Sequence, residues 1–86
     1  MKSRRIRFTR HESEKFDLLR SYGFVVTEKN VEEVISNPDR VDERENLTLA
    51  IRPMDDDYGL RVVYRRTNDN IVVLTFYPVR RDRFNV

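Results

Sequence analysis

Two neighbouring stretches decide the fold: residues 60–66 read LRVVYRR and residues 71–77 read IVVLTFY. Both are rich in β-branched and aromatic residues, which favour strands, and residues 67–70 between them are typical of a hairpin turn. Pairing Arg66 with Ile71 places Tyr64 opposite Val73 and Val63 opposite Leu74. The sequence therefore predicts an antiparallel hairpin at the centre of a sheet.

The arginines in and after this hairpin indicate an anionic ligand. Alternation puts Arg61, Val63 and Arg65 on one face of the strand, and Leu60, Val62 and Tyr64 on the other. The second strand is predicted to end or break at Pro78, and residues 78–84 then read PVRRDRF. Because guanidinium groups match phosphate oxygens and stack on bases, the pattern favours nucleic acid.

The N-terminal half predicts a short strand followed by two helices. Residues 4–8 alternate polar and apolar, and Thr9 with Glu12 matches a capping box at the start of the first helix. The apolar stripe of that helix is expected to contain Phe16, Leu19 and Tyr22, widened by Leu18, before Gly23 ends it. A second helix is expected from Thr27 to the Asn37-Pro38 stop, burying Val31, Val34 and Ile35.

After Pro38 apolar residues recur at every second position, as in a strand. Residues 41–45 are expected to form a polar edge strand, residues 47–51 a second strand, and residues 53–59 a loop. The sequence thus predicts one α+β domain over residues 1–86, with two N-terminal helices on a four- to five-stranded, mainly antiparallel sheet. Neither a signal peptide nor an apolar stretch long enough to span a bilayer is evident, so we expect a cytoplasmic domain with no membrane partner.

Charge is distributed unevenly along the chain. Residues 1–10 carry +5, residues 11–60 carry −7 and residues 61–86 carry +4, within a net charge of +2. If the two ends of the chain lie side by side in the sheet, one face is basic and the helical side acidic. The alternative interpretation is a charge-rich surface of ion pairs, as in heat-tolerant proteins.

Several catalytic classes lack the residues they need. The chain has no cysteine and a single histidine, so no cofactor and no metal site are expected, and the acidic run at residues 55–57 is more typical of a solvated loop. His11 opens the first helix, where a structural role is the more usual one. Candidate groups for acid–base chemistry on RNA are Glu43, Glu45, Tyr64, Tyr77 and His11.

The pattern resembles a known superfamily. The segments that carry the resemblance are residues 8–11 opening a helix, residues 31–38 closing the next, and residues 60–64, 75–78 and 80–84. Together they resemble small BrnT-like and related domains of the RelE/ParE toxin superfamily. The resemblance implies two helices on a curved sheet and a toxin of a toxin–antitoxin pair, often an mRNA-cleaving endoribonuclease acting on ribosomes. It also implies a cognate antitoxin that covers the basic surface.

The resemblance assigns roles to residues of the two central strands and the C-terminus. We expect Arg61, Arg65, Arg81 and Arg83 as catalytic residues, and Arg80, Tyr77, Phe84 and His11 as RNA-binding residues. Phe84 stands where many relatives have tyrosine, and no histidine lies near the C-terminus. These departures leave open a non-catalytic module of the same fold that binds nucleic acid or protein. They also leave open gyrase as the target, as in the ParE-like branch.

A third hypothesis is a structural or inhibitory partner protein. In that case residues 47–52 form an exposed strand that pairs with another chain. The sequence also leaves a homodimer open.

Overall fold

A computed structural model describes residues 5–86, apart from the side chains of Arg10 and His11. The elements along the chain are β1 (Arg5–Phe8), α1 (Arg10–Ser21), α2 (Glu28–Ser36), β2 (Arg40–Arg44), β3 (Leu47–Pro53), β4 (Tyr58–Arg66), β5 (Asn70–Arg80) and α3 (Arg81–Phe84). The α+β class and the two N-terminal helices are confirmed. The short α3 was not expected from the sequence. Within residues 5–86, no helix is long and apolar enough to cross a membrane.

The five strands form one mixed sheet in the order β1-β5-β4-β3-β2. Strands β2 to β5 pair antiparallel with their neighbours, and β1 pairs parallel with β5. This pairing sets the first strand, β1, beside the last strand, β5, which is the condition under which the charge distribution predicts a basic face. The prediction of an exposed strand at residues 47–52 is wrong, because β3 is paired on both sides by β2 and β4.

The central hairpin contains a β-bulge that the sequence did not reveal. Arg66 pairs with Ile71 and Tyr64 with Val73 as predicted, but Val63 pairs with Thr75 and not with Leu74. An extra residue in one strand changes which side chains share a face. In β5 the extra residue is Leu74, and the shift pairs Phe76 with Val62 and Tyr77 with Arg61.

β5 also runs further than expected. Pro78 lies within it, opposite Leu60, and the strand continues to Arg80. Beyond Val73, where β1 ends, β5 is an edge strand. A proline without an N–H is tolerated at such an edge, which is why Pro78 does not end the strand.

The hydrophobic core lies between α1, α2 and one face of the sheet. From α2 it takes Val31, Val34 and Ile35, as predicted, and from the sheet Leu60, Val62, Tyr64, Val73 and Phe76. The ring of Phe76 lies 4.6 Å from that of Phe16 and 6.5 Å from that of Phe8, measured between centroids. In α1 the predicted stripe is narrower, because Leu18 and Tyr22 are 53% and 72% exposed.

Both helices begin at a threonine cap, but the complete capping box is at α2 and not at α1 as predicted. Thr9 caps α1 by accepting a hydrogen bond from the Glu12 backbone N–H at 3.2 Å, but the reciprocal half of the predicted capping box is not formed. The complete box occurs at α2, where Thr27 and Asn30 bond reciprocally. Gly23, at φ 91°, ends α1 as predicted.

Candidate nucleic-acid interface

The sheet has two chemically different faces. One, the helix face, packs under α1 and α2 and carries the buried Leu60, Val62 and Tyr64. The other, the open face, carries the residues that alternate with these, namely Arg61, Val63 and Arg65 in β4 together with their cross-strand partners. The predicted division of β4 between two faces is therefore confirmed.

Three arginines form a row across the open face near the hairpin turn. In order across the sheet this hairpin row consists of Arg7, Val72, Arg65, Leu47 and Arg44. The pairing of Thr48 with Tyr64, continued by one residue, sets Leu47 beside Arg65. Since neighbouring strands lie about 4.8 Å apart, the arginines are spaced by about 10 Å with an aliphatic side chain between each pair.

A second row crosses the open face nearer to α3. This α3 row consists of Tyr77, Arg61, Ile51 and Arg40, paired in that order. Arg61 and Arg65 are four positions apart in β4, so the two rows lie about 13 Å apart. The half-buried side chains of Val63 and Leu49 lie between them.

Arg61 is oriented by the C-terminal segment. Its guanidinium carbon lies 5.2 Å from the centroid of the Phe84 ring, a cation–π contact. Arg40 Nη1 donates a hydrogen bond to the Phe84 carbonyl oxygen at 3.0 Å. These contacts border an open cavity of about 290 Å³, here called the arginine pocket, lined by Arg40, Asp42, Arg44, Leu49, Ile51, Arg61 and Phe84.

Few carboxylates compensate the positive charge of the open face. Among the described residues, Asp42 is the only acidic one that lines the arginine pocket, and it lies 3.3 Å from Arg44. Within the described part of the chain, no ion pair involves Arg61 or Arg65. The opposite side of the molecule carries the two helices, which expose two bases, Arg20 and Lys29, against five acids, namely Glu14, Asp17, Glu28, Glu32 and Glu33. The basic face and acidic helical side thus follow the expectation from sequence.

The C-terminal arginines predicted as site residues have separate roles. Arg81 Nη1 donates to the Asp55 carbonyl at 2.8 Å and Arg81 Nε to the Val86 carbonyl at 2.9 Å, so its guanidinium fastens the 55–57 loop to the C-terminus. Arg80 lies 3.5 Å from Asp82, and Arg83 is exposed. Of the four expected catalytic arginines, only Arg61 and Arg65 lie on the open face of the sheet.

Among the expected RNA-binding residues, Tyr77 and Phe84 lie at the α3 row. Tyr77 is half-buried beside Arg61, and Lys15 Nζ lies 5.7 Å from the centroid of its ring. Phe84 supports Arg61 from the other side of the pocket. The His11 side chain lies outside the described residues.

The remaining acid–base candidates divide between the two faces. Tyr64 is 1% exposed on the helix face, and its hydroxyl accepts a hydrogen bond from Arg66. Glu43 pairs with Arg66 at 3.7 Å. Glu45 lies in the β2–β3 turn and borders a cavity together with Arg65. Tyr77 and Glu45 are therefore the candidates that border the open face, and they lie at opposite rows.

The acidic run at residues 55–57 closes a turn. Asp55 Oδ1 accepts hydrogen bonds from the backbone N–H groups of Asp57 and Tyr58 at 2.9 and 2.7 Å. Among the described residues, no three histidines, cysteines or acids are grouped so as to hold a metal ion.

Sequence reasoning missed the contribution of the outer strands. The sequence places Arg44 in a polar edge strand over residues 41–45, Arg40 just before that strand and Arg7 in a basic N-terminus, and gives none of them a role in the site. The signal was the alternation of Arg40, Asp42 and Arg44, which puts all three on one face. Which face this is depends on the register with β3, and that register is not readable from β2 alone.

Comparisons with known proteins give no relative on which to base an assignment. No protein-family model, curated protein or solved structure matches the chain.

Proposed function

We propose that this protein binds single-stranded RNA across the open face of its sheet. The observation that carries the proposal is the pair of arginine rows, in which guanidinium groups alternate with aliphatic or aromatic side chains. Guanidinium groups bind phosphate oxygens, and the exposed Leu47 and half-buried Val72 and Tyr77 beside them offer contact surface to bases, whereas Ile51 is buried. A duplex hides its bases in the stack, so this combination favours a single strand.

The charge arrangement supports the same ligand. The open face is basic and the helical side acidic, and such a field orients an approaching polyanion toward one face. Arg61 and Arg65 have no carboxylate partner among the described residues, so a phosphate does not have to displace one to reach them.

Adjacent arginines on opposite faces provide a matched test. Arg65 is exposed on the open face, whereas Arg66 points to the helix face, where it contacts Glu43 and Tyr64. Both substitutions, Arg65→Gln and Arg66→Gln, remove one positive charge at the end of β4. We expect Arg65→Gln to weaken binding of a fluorescent single-stranded dodecanucleotide by about fivefold in anisotropy titrations, because one charge-assisted phosphate contact is lost.

The same titration with Arg66→Gln is expected to change the affinity by less than about twofold, since only long-range attraction is reduced. Equal losses from both variants would contradict binding on the open face. No binding by the wild-type protein would overturn the proposal itself.

RNA cleavage is the second candidate function, and the position of Tyr77 beside Arg61 favours it. In this reaction the 2′-oxygen attacks the adjacent phosphorus and the bond to the 5′-oxygen breaks. Water takes the 2′-hydroxyl proton, the Tyr77 phenol protonates the leaving 5′-oxygen, and Arg61 stabilises the added negative charge. The products are a 2′,3′-cyclic phosphate and a 5′-hydroxyl.

Tyr77→Phe separates cleavage from binding. Loss of the general acid is expected to slow cleavage of an end-labelled RNA by about a hundredfold, while anisotropy reports nearly unchanged affinity. If ribosomes and RNA incubated with the wild-type protein give no cyclic-phosphate products, the protein is an RNA-binding module and not a nuclease.

The toxin role implied by the family resemblance rests on the same face. Induced expression of the wild-type protein is expected to arrest bacterial growth, and Arg65→Gln to relieve the arrest more than Arg66→Gln does. A cognate antitoxin would act by covering the open face. Arrest by all three proteins alike would place the toxic activity elsewhere, and harmless expression of folded protein would remove the toxin role.

A further inference from the structure

The open face is closed at one end. Gly59, at the start of β4, continues the alternation of Arg65, Val63 and Arg61, and a Cβ built on it would lie 3.6 Å from Val86 Cγ2. Phe84 lies over Arg61 in the same region. An RNA strand that follows β4 from the hairpin row toward the α3 row therefore meets the C-terminal segment of the protein at the arginine pocket. This geometry suits the end of an RNA strand better than its middle.

The charge of the arginine pocket also distinguishes an end from a middle. Its lining holds Arg40, Arg44 and Arg61 against the single carboxylate of Asp42, a net charge of +2. An internal phosphodiester carries one negative charge, whereas a terminal phosphate monoester carries about −1.5 to −2 at neutral pH. The monoester therefore matches the charge of the pocket.

The guanidinium groups at the closed end are held before any ligand binds. Arg61 stacks on the Phe84 ring at 5.2 Å, and Arg40 is fixed by its 3.0 Å hydrogen bond to the Phe84 carbonyl. Arg44, from the hairpin row, lines the same pocket and forms an exposed ion pair with Asp42 at 3.3 Å. Side chains that are already ordered lose less conformational entropy on binding, which favours a compact ligand with many acceptor oxygens.

We propose that the arginine pocket binds the terminal phosphate monoester of an RNA strand. The proposal rests on the proposed function, since it names the part of the RNA that this pocket takes. The pocket is lined by three guanidinium groups, which match the three terminal oxygens of a phosphate monoester, and by the apolar side chains of Ile51 and Leu49. The chemistry at the pocket is that of a monoester at either end of a strand.

The test compares one hexanucleotide in three forms: with a 5′-phosphate, with a 3′-phosphate and with hydroxyls at both ends. Affinities are measured by competition with a labelled strand. We expect one phosphorylated form to bind about tenfold more tightly than the unphosphorylated form, as charge-assisted bonds to a dianion require. The form that gains identifies the end. An unphosphorylated heptanucleotide, which also carries an additional charge, is expected to gain less than about twofold.

Variants of the protein show where the phosphate that increases the affinity binds. Arg61→Gln and Arg40→Gln are expected to reduce the ratio of the affinity for the phosphorylated hexanucleotide to that for the unphosphorylated one to about one. Arg7→Gln, in the hairpin row, is expected to weaken binding of both hexanucleotides and leave this ratio unchanged. Asp42→Asn, which raises the pocket charge to +3, is expected to increase the ratio. Circular dichroism confirms folding of each variant, and the ratio does not depend on the fraction folded.

The outcomes separate the two proposals. A wild-type protein that binds the unphosphorylated strand but gains nothing from either phosphate overturns this inference and leaves RNA binding intact. A gain that survives in both Arg61→Gln and Arg40→Gln overturns it as well, because the phosphate then binds elsewhere. Failure to bind any strand overturns the proposed function.

Discussion

At the scale of single residues, the arginines differ by what their guanidinium groups face. On the open face, Arg65 faces solvent and Arg61 faces the Phe84 ring. Arg66 faces Glu43 and the Tyr64 hydroxyl. Arg81 faces two backbone carbonyls from separate segments. Identical side chains therefore lie free of carboxylates on the open face, form an ion pair or anchor a terminus, and their neighbours decide which.

Arg81→Ala tests the anchoring role. Removing hydrogen bonds to the Asp55 and Val86 carbonyls is expected to lower the free energy of unfolding by about 1 kcal/mol, measured by urea denaturation. Arg83→Ala is the matched control, because Arg83 is exposed in the same helix, and it is expected to change stability by less than about 0.5 kcal/mol. Equal stabilities of the two variants would show that Arg81 does not hold the C-terminus.

Residue roles were predictable from sequence only where alternation alone determines them. The shared face of Arg61 and Arg65 follows from the period of two in residues 60–66, and it was predicted correctly. The partners of Arg81 lie 26 residues upstream and five residues downstream in the chain. No local pattern encodes such a contact, so Arg81 could be placed only by the fold.

At the scale of elements, the helix ends provide a second pair of matched variants. Thr27 caps α2 within a complete capping box, while Thr9 caps α1 with one half of that arrangement. We expect Thr27→Ala to destabilise the protein by about 1 kcal/mol and Thr9→Ala by about half as much. Urea midpoints with unchanged slopes would measure both. A larger loss at Thr9 would contradict the roles described for the two caps.

The β-bulge shows where element-level prediction fails. Strand identity in β4 and β5 follows from composition, and the turn at residues 67–70 sets the register as far as Tyr64. An unbroken register would continue to pair Val63 with Leu74 and would turn Phe76 toward the open face. Burial of Phe76 against Phe16 and Phe8 favours the bulged register. Since this packing involves α1 and β1, the hairpin sequence alone does not contain it.

Strand edges bear on self-association. β2 is an outer strand of the sheet. Antiparallel pairing of two copies about Asp42 would place Asp42 opposite itself and Arg40 opposite Arg44 of the partner, and like charges directly opposite are destabilising. The free edge of β5 contains Pro78, which lacks a backbone donor. Both features disfavour strand pairing of two copies along β2 in this register and along the free edge of β5.

At the scale of the whole molecule, one topological feature brings together the residues on which the proposed function depends. The parallel pairing of β1 with β5 adds Arg5 and Arg7 to the sheet that carries Arg61 and Arg65. The acidic middle of the chain supplies α1 and α2 on the other side. The charge blocks were visible in the sequence, but their separation onto two faces depends on the strand order, which long-range contacts determine.

This polarity predicts a steep dependence of RNA affinity on salt. If three to six of the open-face arginines contact phosphates, a plot of log affinity against log salt concentration has a slope between about −2 and −4 for a single strand. Arg65→Gln removes one contact and is expected to reduce the magnitude of the slope by about 0.7, while Arg66→Gln leaves it unchanged. Anisotropy titrations between about 50 and 200 mM salt measure all three slopes. A wild-type slope near zero would mean that the arginine rows do not contact the backbone, because displaced counterions are the unavoidable consequence of such contacts.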